Sequence, residues 1–281
     1  MKRLTVYILL FQLMFMMGCK KEMMSYQGVE GVYFAVQSGT KAYSIALWPY
    51  QPFSSVEFVS IGKDVVDFPV KVMITGPVKD YERSFRVEVN PDSTTAIVGK
   101  HYDPIQTEIK IPAGGITANV IVRLKRTPDL EITPITLGLR LVETKDFKLS
   151  FPEWDAIPSL TGGTIVPEFD ASLHTLRIND IMVQPSVWPG SLQPGNRESG
   201  LFGVFTRKKM EFLIDNLGLT YEDFASAETM PQARYFLVAN DAATILKQRF
   251  DAKNPVLEDD GRLMFIGSVP WTTIVGVPWV P

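Results

Sequence analysis

Short runs in which apolar and polar residues alternate recur from residue 29 to about residue 149, and they set the fold of this part of the chain. Alternation with a period of two puts successive side chains on opposite faces of a strand, one face buried and one solvated. Runs of this kind cover 32–36, 43–47, 56–61, 68–74, 85–89, 105–111, 118–124 and 135–141. In the sixth, Ile105, Thr107, Ile109 and Ile111 share one face. Between the runs stand turn residues: Thr75-Gly76-Pro77, Asn90-Pro91-Asp92 and Pro112-Ala113-Gly114-Gly115. Glycine supplies positive φ and proline a fixed φ, so such clusters reverse the chain.

Seven or eight short strands at this spacing predict an antiparallel β-sandwich of immunoglobulin-like architecture over residues 29–180. A ninth strand is expected near 172–178, after a long Pro- and Gly-containing connection over 151–170. Residues 181–281 read as a separate α+β region. Residues 183–197 contain three prolines and two glycines, which predicts a loop with Trp188 in its middle. Thr206 caps a helix over 207–217 that closes at Gly218, with Met210, Leu213, Ile214 and Leu217 on one stripe. Thr220 and Asp223 form a capping box. Pro231 opens a longer helix to about residue 250, with Tyr235, Val238, Ala242, Ile245 and Leu246 inward. Asp259-Asp260-Gly261, between two apolar runs, predicts a hairpin.

The N-terminus is of another kind. Lys2 and Arg3 precede an apolar run ending at Gly18-Cys19, and Cys19 is the sole cysteine. The run falls short of the roughly 20 residues of a membrane span. A basic start, a short apolar stretch and a small residue make a secretory signal. Met16-Met17-Gly18-Cys19 resembles the lipobox of bacterial lipoproteins. That resemblance implies a signal peptide over 1–18, cleavage before Cys19, acylation of Cys19 as the lipid anchor, and a tether over 19–28. With one cysteine no internal disulfide forms, so the fold must be stable without disulfides. The full chain carries a net charge of −3, and loss of Lys2 and Arg3 makes the mature chain more acidic. No basic stripe faces a phosphate backbone, which argues against nucleic acid as a partner.

Residues 95–103 (Thr-Ala-Ile-Val-Gly-Lys-His-Tyr-Asp), 109–114 (Ile-Lys-Ile-Pro-Ala-Gly) and 120–122 resemble the Calx-β pattern, which implies a Calx-β-like sandwich. His101 stands where that family has an aspartate before the tyrosine, so calcium binding is not carried over. The layout as a whole is similar to uncharacterised lipoproteins found beside Sus-type outer-membrane glycan-uptake systems. The matching residues are the lipobox, Gly99-Lys100-His101-Tyr102, Pro112-Ala113-Gly114, Leu176-Arg177-Ile178 leading to Trp188, residues 203–209 and the Asp260-Gly261 hairpin. The resemblance implies an outer-membrane lipoprotein facing the cell surface (or, as the alternative, the periplasm), near SusC/SusD-type proteins. It implies no catalytic residues.

The chemical inventory is thin. A Ser-His-Asp site needs His101 or His174, the only histidines, and both read as structural. Metal and cofactor sites are not expected: no Cys/His cluster has ligand spacing, and no glycine loop cradles a phosphate. Glu153, Asp155, Glu168 and Asp170 are the carboxylates from which a glycosidase pair would be drawn. Aromatic faces suit the apolar side of a pyranose ring, so Trp188, Trp154 and Trp48 are the candidate ligand-binding residues. The expected function is a non-catalytic surface lipoprotein accessory to polysaccharide binding and uptake. Alternatives are a structural or adhesive surface protein without a small ligand, and a glycan-active hydrolase.

Overall fold

A computed structural model describes residues 28–281. The expected signal peptide, Cys19 and the expected tether through residue 27 lie outside the described residues. No helix among the described residues is long and apolar enough to cross a membrane.

Two sheets face each other. One contains β1 (Gly31–Phe34), β3 (Val65–Thr75), β6 (Thr117–Lys125) and β8 (Lys148–Leu149), in the order β6-β3-β1-β8. The other contains β2 (Phe53–Glu57), β4 (Arg83–Asn90), β5 (Glu108–Ile111), β7 (Ile135–Val142) and β9 (Leu173–Asn179), in the order β2-β9-β7-β4-β5. The inward residues follow the predicted alternation: Val70, Val72 and Ile74 on β3, Val120, Val122 and Leu124 on β6, and Leu137, Leu139 and Leu141 on β7 are all buried. Pro69 sits within β3 without breaking a ladder, because β1 reaches only Val72–Thr75 and leaves that edge of β3 open.

Three expectations need correction. The sandwich is mainly antiparallel, but β1–β8 and β2–β9 run parallel. The predicted strand at 43–47 is a loop with one 3-10 turn, Ile45–Leu47. No strand lies beside it, and the Trp48 indole N–H, bonded to the carbonyls of Thr40 and Tyr43, holds the chain curled. The predicted strand at 56–61 ends at Glu57 and becomes the helical turn α1 (Phe58–Ile61), closed by Gly62 at φ +66°.

The C-terminal region packs around its own core of Trp188, Phe202, Met210, Leu213, Phe224, Leu246 and Met264. Helix α2 (Arg207–Leu217) starts at Thr206, whose hydroxyl accepts from Lys209 N–H, and ends at Gly218 in the left-handed conformation. The capping box of Thr220 and Asp223 is present. Helix α3 (Gln232–Asp251) turns Val238, Ala239, Ala242, Ala243 and Leu246 inward. The predicted loop at 183–197 contains instead most of a two-stranded ribbon, β10 (Gly190–Gln193) with β11 (Arg197–Gly200). The Asp260-Gly261 hairpin forms as a tight turn with one bridge, Leu257 to Leu263.

Two polar clusters tie these parts together. Asp180, just after β9 and fully buried, accepts from Arg126 Nε at 2.7 Å and Arg207 Nη2 at 2.8 Å. It thereby joins the sandwich to α2. Deeper in the C-terminal region Glu198 accepts four hydrogen bonds, from Lys209 Nζ (2.7 Å), Thr273 Oγ1 (2.7 Å), Val204 N (2.9 Å) and Arg262 Nε (3.0 Å). Burial opposes its charge, but the Lys209 ammonium and these donors outweigh that and hold its carboxyl below the usual range.

Candidate functional site

The site lies where two irregular segments meet at one end of the sandwich. The first is the loop 37–51, whose ends are drawn together by a bridge between Gln37 and Tyr50. The second is the connection 151–170. Gly162 N–H donates to Leu47 O at 2.7 Å, and the Gln51 amide donates to Thr164 O at 3.1 Å, so the connection is fastened to the loop. Between them runs a groove of about 250 Å³, bordered by Trp48, Tyr50 and Trp154, with Gln37 and Asp155 as polar neighbours.

Each aromatic is held by named contacts. The Gln37 amide donates to Trp48 O at 2.8 Å, and the Trp48 ring lies against Gly39, where a Cβ would fall 2.5 Å from Cδ1. Trp154 pairs through its backbone with Phe169. Its ring meets Tyr50 edge-on at 4.8 Å and Phe151 at 5.0 Å, and stacks near-parallel over Tyr33 at 6.3 Å. Such offset and edge-to-face pairs fix ring orientation. This aromatic layer covers the outer face of β1. Burial, with Tyr50 beside it, raises the Tyr33 hydroxyl above its ordinary range. Ile157 and Leu160, which border the groove, face solvent, as do Tyr43, Ile45 and Leu47 of the loop 37–51.

Trp48 and Trp154 are half-buried and border the same groove. Trp188 does not join them and is not an exposed platform. It is 7% exposed, donates its indole N–H to Gly203 O at 3.0 Å, and is packed by Phe202, Phe205 and Phe224. Its Pro/Gly surroundings suggested a surface loop, but Gly190 serves close backbone approach: a Cβ there would strike Gly203 O. Of the four candidate carboxylates, Asp155 alone borders the groove. Asp170 caps its own turn by accepting from Ser172 N–H, and Glu153 and Glu168 are exposed.

A second opening, about 610 Å³, lies between the sheets beside the groove and shares Gln37 with it. Sequence reasoning missed it. Ser54, on the inner side of β2, borders it, and its hydroxyl lies 3.0 Å from His174 Nε2 on β9. His174 is 1% exposed, and burial pushes its imidazole down to about 4, opposed by the Gln51 backbone. It is therefore neutral near pH 7. The signal in the sequence is a histidine at an inward position of an otherwise apolar alternation.

His101 is structural. Its Nδ1 accepts from Ile97 N–H at 2.9 Å and its Nε2 lies 3.0 Å from Asp129, which also pairs with Lys100. Tyr102 beside it is buried. Lys100, with Thr127 and His101, keeps the Asp129 carboxyl well below its ordinary range. Among the described residues no group of three or more His, Cys, Asp or Glu is placed to hold a metal ion.

A family model described as "Domain of unknown function (DUF4843)" matches residues 26–161. That stretch takes in β1 to β8 and stops short of β9, although β9 lies between β2 and β7 in its sheet. Among solved structures, the apo-form Calx CBD1 domain is 16% identical, over 54% of this chain and 98% of that one, with a TM-score of 0.34. CBD12 from CALX1.2 is 16% identical, over 53% and 44%, with a TM-score of 0.33. A protein of unknown function from Bacteroides ovatus is 13% identical, over 52% and 43%, with a TM-score of 0.34. No curated protein matches the chain.

Proposed function

We propose that this protein is a non-catalytic lipoprotein of the outer membrane, accessory to glycan uptake, which binds a saccharide in the groove bordered by Trp48, Tyr50 and Trp154. The observation that carries this reading is the convergence of those three rings with Gln37 and Asp155 in one open groove. Concave, largely aromatic sites with a few polar groups are where small ligands bind. Ring faces meet the C–H face of a pyranose, and amide and carboxylate groups take its hydroxyls. A lone carboxylate in the groove favours holding a sugar over cleaving it, since glycoside hydrolysis ordinarily uses two. Ile157 and Leu160, exposed at the groove, add to the case, because exposed apolar surface beside a concave site favours interaction. Placement in the membrane rests on Cys19 and the lipobox; proximity to a SusC/SusD-type transporter rests on the resemblance of the whole layout.

Two experiments test the reading. On a glycan array the processed wild-type chain retains at least one class of saccharide, and Trp48→Ala or Trp154→Ala loses it. A blank array, or retention by both variants, contradicts saccharide binding at the groove. In the native host, mass analysis finds Cys19 acylated, and Cys19→Ser releases the protein from the membrane fraction. An unmodified Cys19 removes the lipoprotein assignment.

A further inference from the structure

We infer that the aromatic groove and the neighbouring cleft between the sheets act as one extended site, which takes an uncharged oligosaccharide several sugar units long. The inference rests on the saccharide reading above and adds ligand length and charge to it.

The two openings meet at Gln37, at one end of the loop 37–51. Together their volumes of about 250 and 610 Å³ fall within the roughly 300–1,000 Å³ typical of sites that bury a whole small molecule. A single pyranose covers the Trp48–Trp154 groove and leaves the larger cleft unused. The chemistry of the two halves is complementary. The groove offers ring faces. The cleft offers neutral hydrogen-bonding groups from Gln37, Gln51, Ser54, Ser55 and Thr164, with no ionised side chain along it. An anionic glycan meets Asp155 at the groove and no bordering cation in either half. An uncharged chain meets no such penalty.

The floor of the cleft favours a polyhydroxyl ligand for a second reason. Ser54 Oγ borders the cleft and lies 3.0 Å from His174 Nε2, whose imidazole also meets the Gln51 backbone. A neutral imidazole accepts at one nitrogen and donates at the other, and a hydroxyl does both. The pair therefore adapts to whichever direction a sugar hydroxyl presents.

Calorimetric titration of the processed chain tests this, with β-1,4-gluco-, β-1,4-manno-, β-1,4-xylo- and α-1,4-gluco-oligosaccharides of one to six units. In at least one series affinity rises tenfold or more between one unit and four. Ser54→Val removes most of that rise and leaves binding of the single sugar unchanged, whereas Trp48→Ala weakens every length. Thr164→Ala, at an exposed position outside the sheets, repeats the Ser54→Val result and guards against a folding defect. Affinity independent of length, or unaltered by both cleft variants, overturns the extended site and leaves the groove reading standing. Failure of every series to bind overturns both.

Discussion

Trp48 is placed by small features on either side of it. Its indole N–H holds two carbonyls of its own loop, and its ring rests on Gly39, where a side chain has no room. Gly39→Ala therefore pushes the ring out of the groove. Saccharide affinity measured by titration falls about tenfold, equivalent to about 1.4 kcal/mol; unchanged affinity means the ring is not the contact. His174 makes a second prediction. Its imidazole gains a proton near 6.5 in the unfolded chain and only near 4 in the folded one. The unfolded state then binds more protons between those values, so stability falls as pH drops from about 6.5 to about 4 and is level above. The displacement corresponds to about 3 kcal/mol at 1.36 kcal/mol per unit. Denaturant unfolding at pH 7 and pH 4 shows the wild type losing about that much more stability than His174→Gln. An equal loss in both contradicts the buried neutral imidazole. In the sequence Trp188 stands out by its Pro/Gly loop, Trp154 by its acidic neighbours and Trp48 by a strand end near Tyr50, yet only Trp48 and Trp154 share the groove. Phe202, Phe205 and Phe224, which enclose Trp188, are distant in sequence and invisible to local pattern.

Elements were legible where a local rule and the tertiary fold agree. Strands β3, β6 and β7 alternate because one face covers the core. Helix α2 begins and ends on its predicted caps, since Thr206 and Gly218 satisfy groups the helix itself leaves unpaired. The runs at 43–47 and 56–61 misled because alternation says nothing about whether a neighbouring strand exists. Polar partnership was equally hidden. Lys209 lies three and four residues before Phe212 and Leu213, on the buried side of α2, yet nothing local announces that Glu198 and Arg262 complete it. Lys209 is 0% exposed and paired with a buried carboxylate. Arg262 also pairs with Glu198, so removing Lys209 leaves the buried carboxylates Glu198 and Glu258 with one cation in place of two. Breaking a buried ionic cluster costs about 3–5 kcal/mol, whereas replacing an oppositely charged pair with apolar residues is often close to neutral. Lys209→Met should thus lower stability in urea unfolding by that amount, and Lys209→Met with Glu198→Leu should restore much of it. A double variant as unstable as the sum of the single ones contradicts the paired arrangement.

At the scale of the whole molecule, the sandwich and the C-terminal region have separate cores, and Asp180 with Arg126 and Arg207 bridges them. Asp180→Ala leaves two arginines facing each other without their shared carboxylate. Scanning calorimetry then resolves two transitions where the wild type gives one; a single transition in the variant means the bridge does not couple the cores. In the sequence the period of the apolar pattern changes from two to 3.6 between the residues of the first core and the helices of the second. The bridge was not visible there, because its members lie just after β6, just after β9 and on α2. The same assembly of distant segments makes the groove, since Trp48 and Trp154 are more than a hundred residues apart and meet only when the connection 151–170 folds back on the loop 37–51. The indole N–H region of a nitrogen–proton correlation spectrum reports on all five tryptophans at once, each assigned by its Trp→Phe variant. On titration with an uncharged oligosaccharide that the array identifies, the Trp48 and Trp154 signals shift and saturate together while that of Trp188 stays in place. Saturable shifts confined to other tryptophans, or none at all, would contradict a saccharide site in this groove.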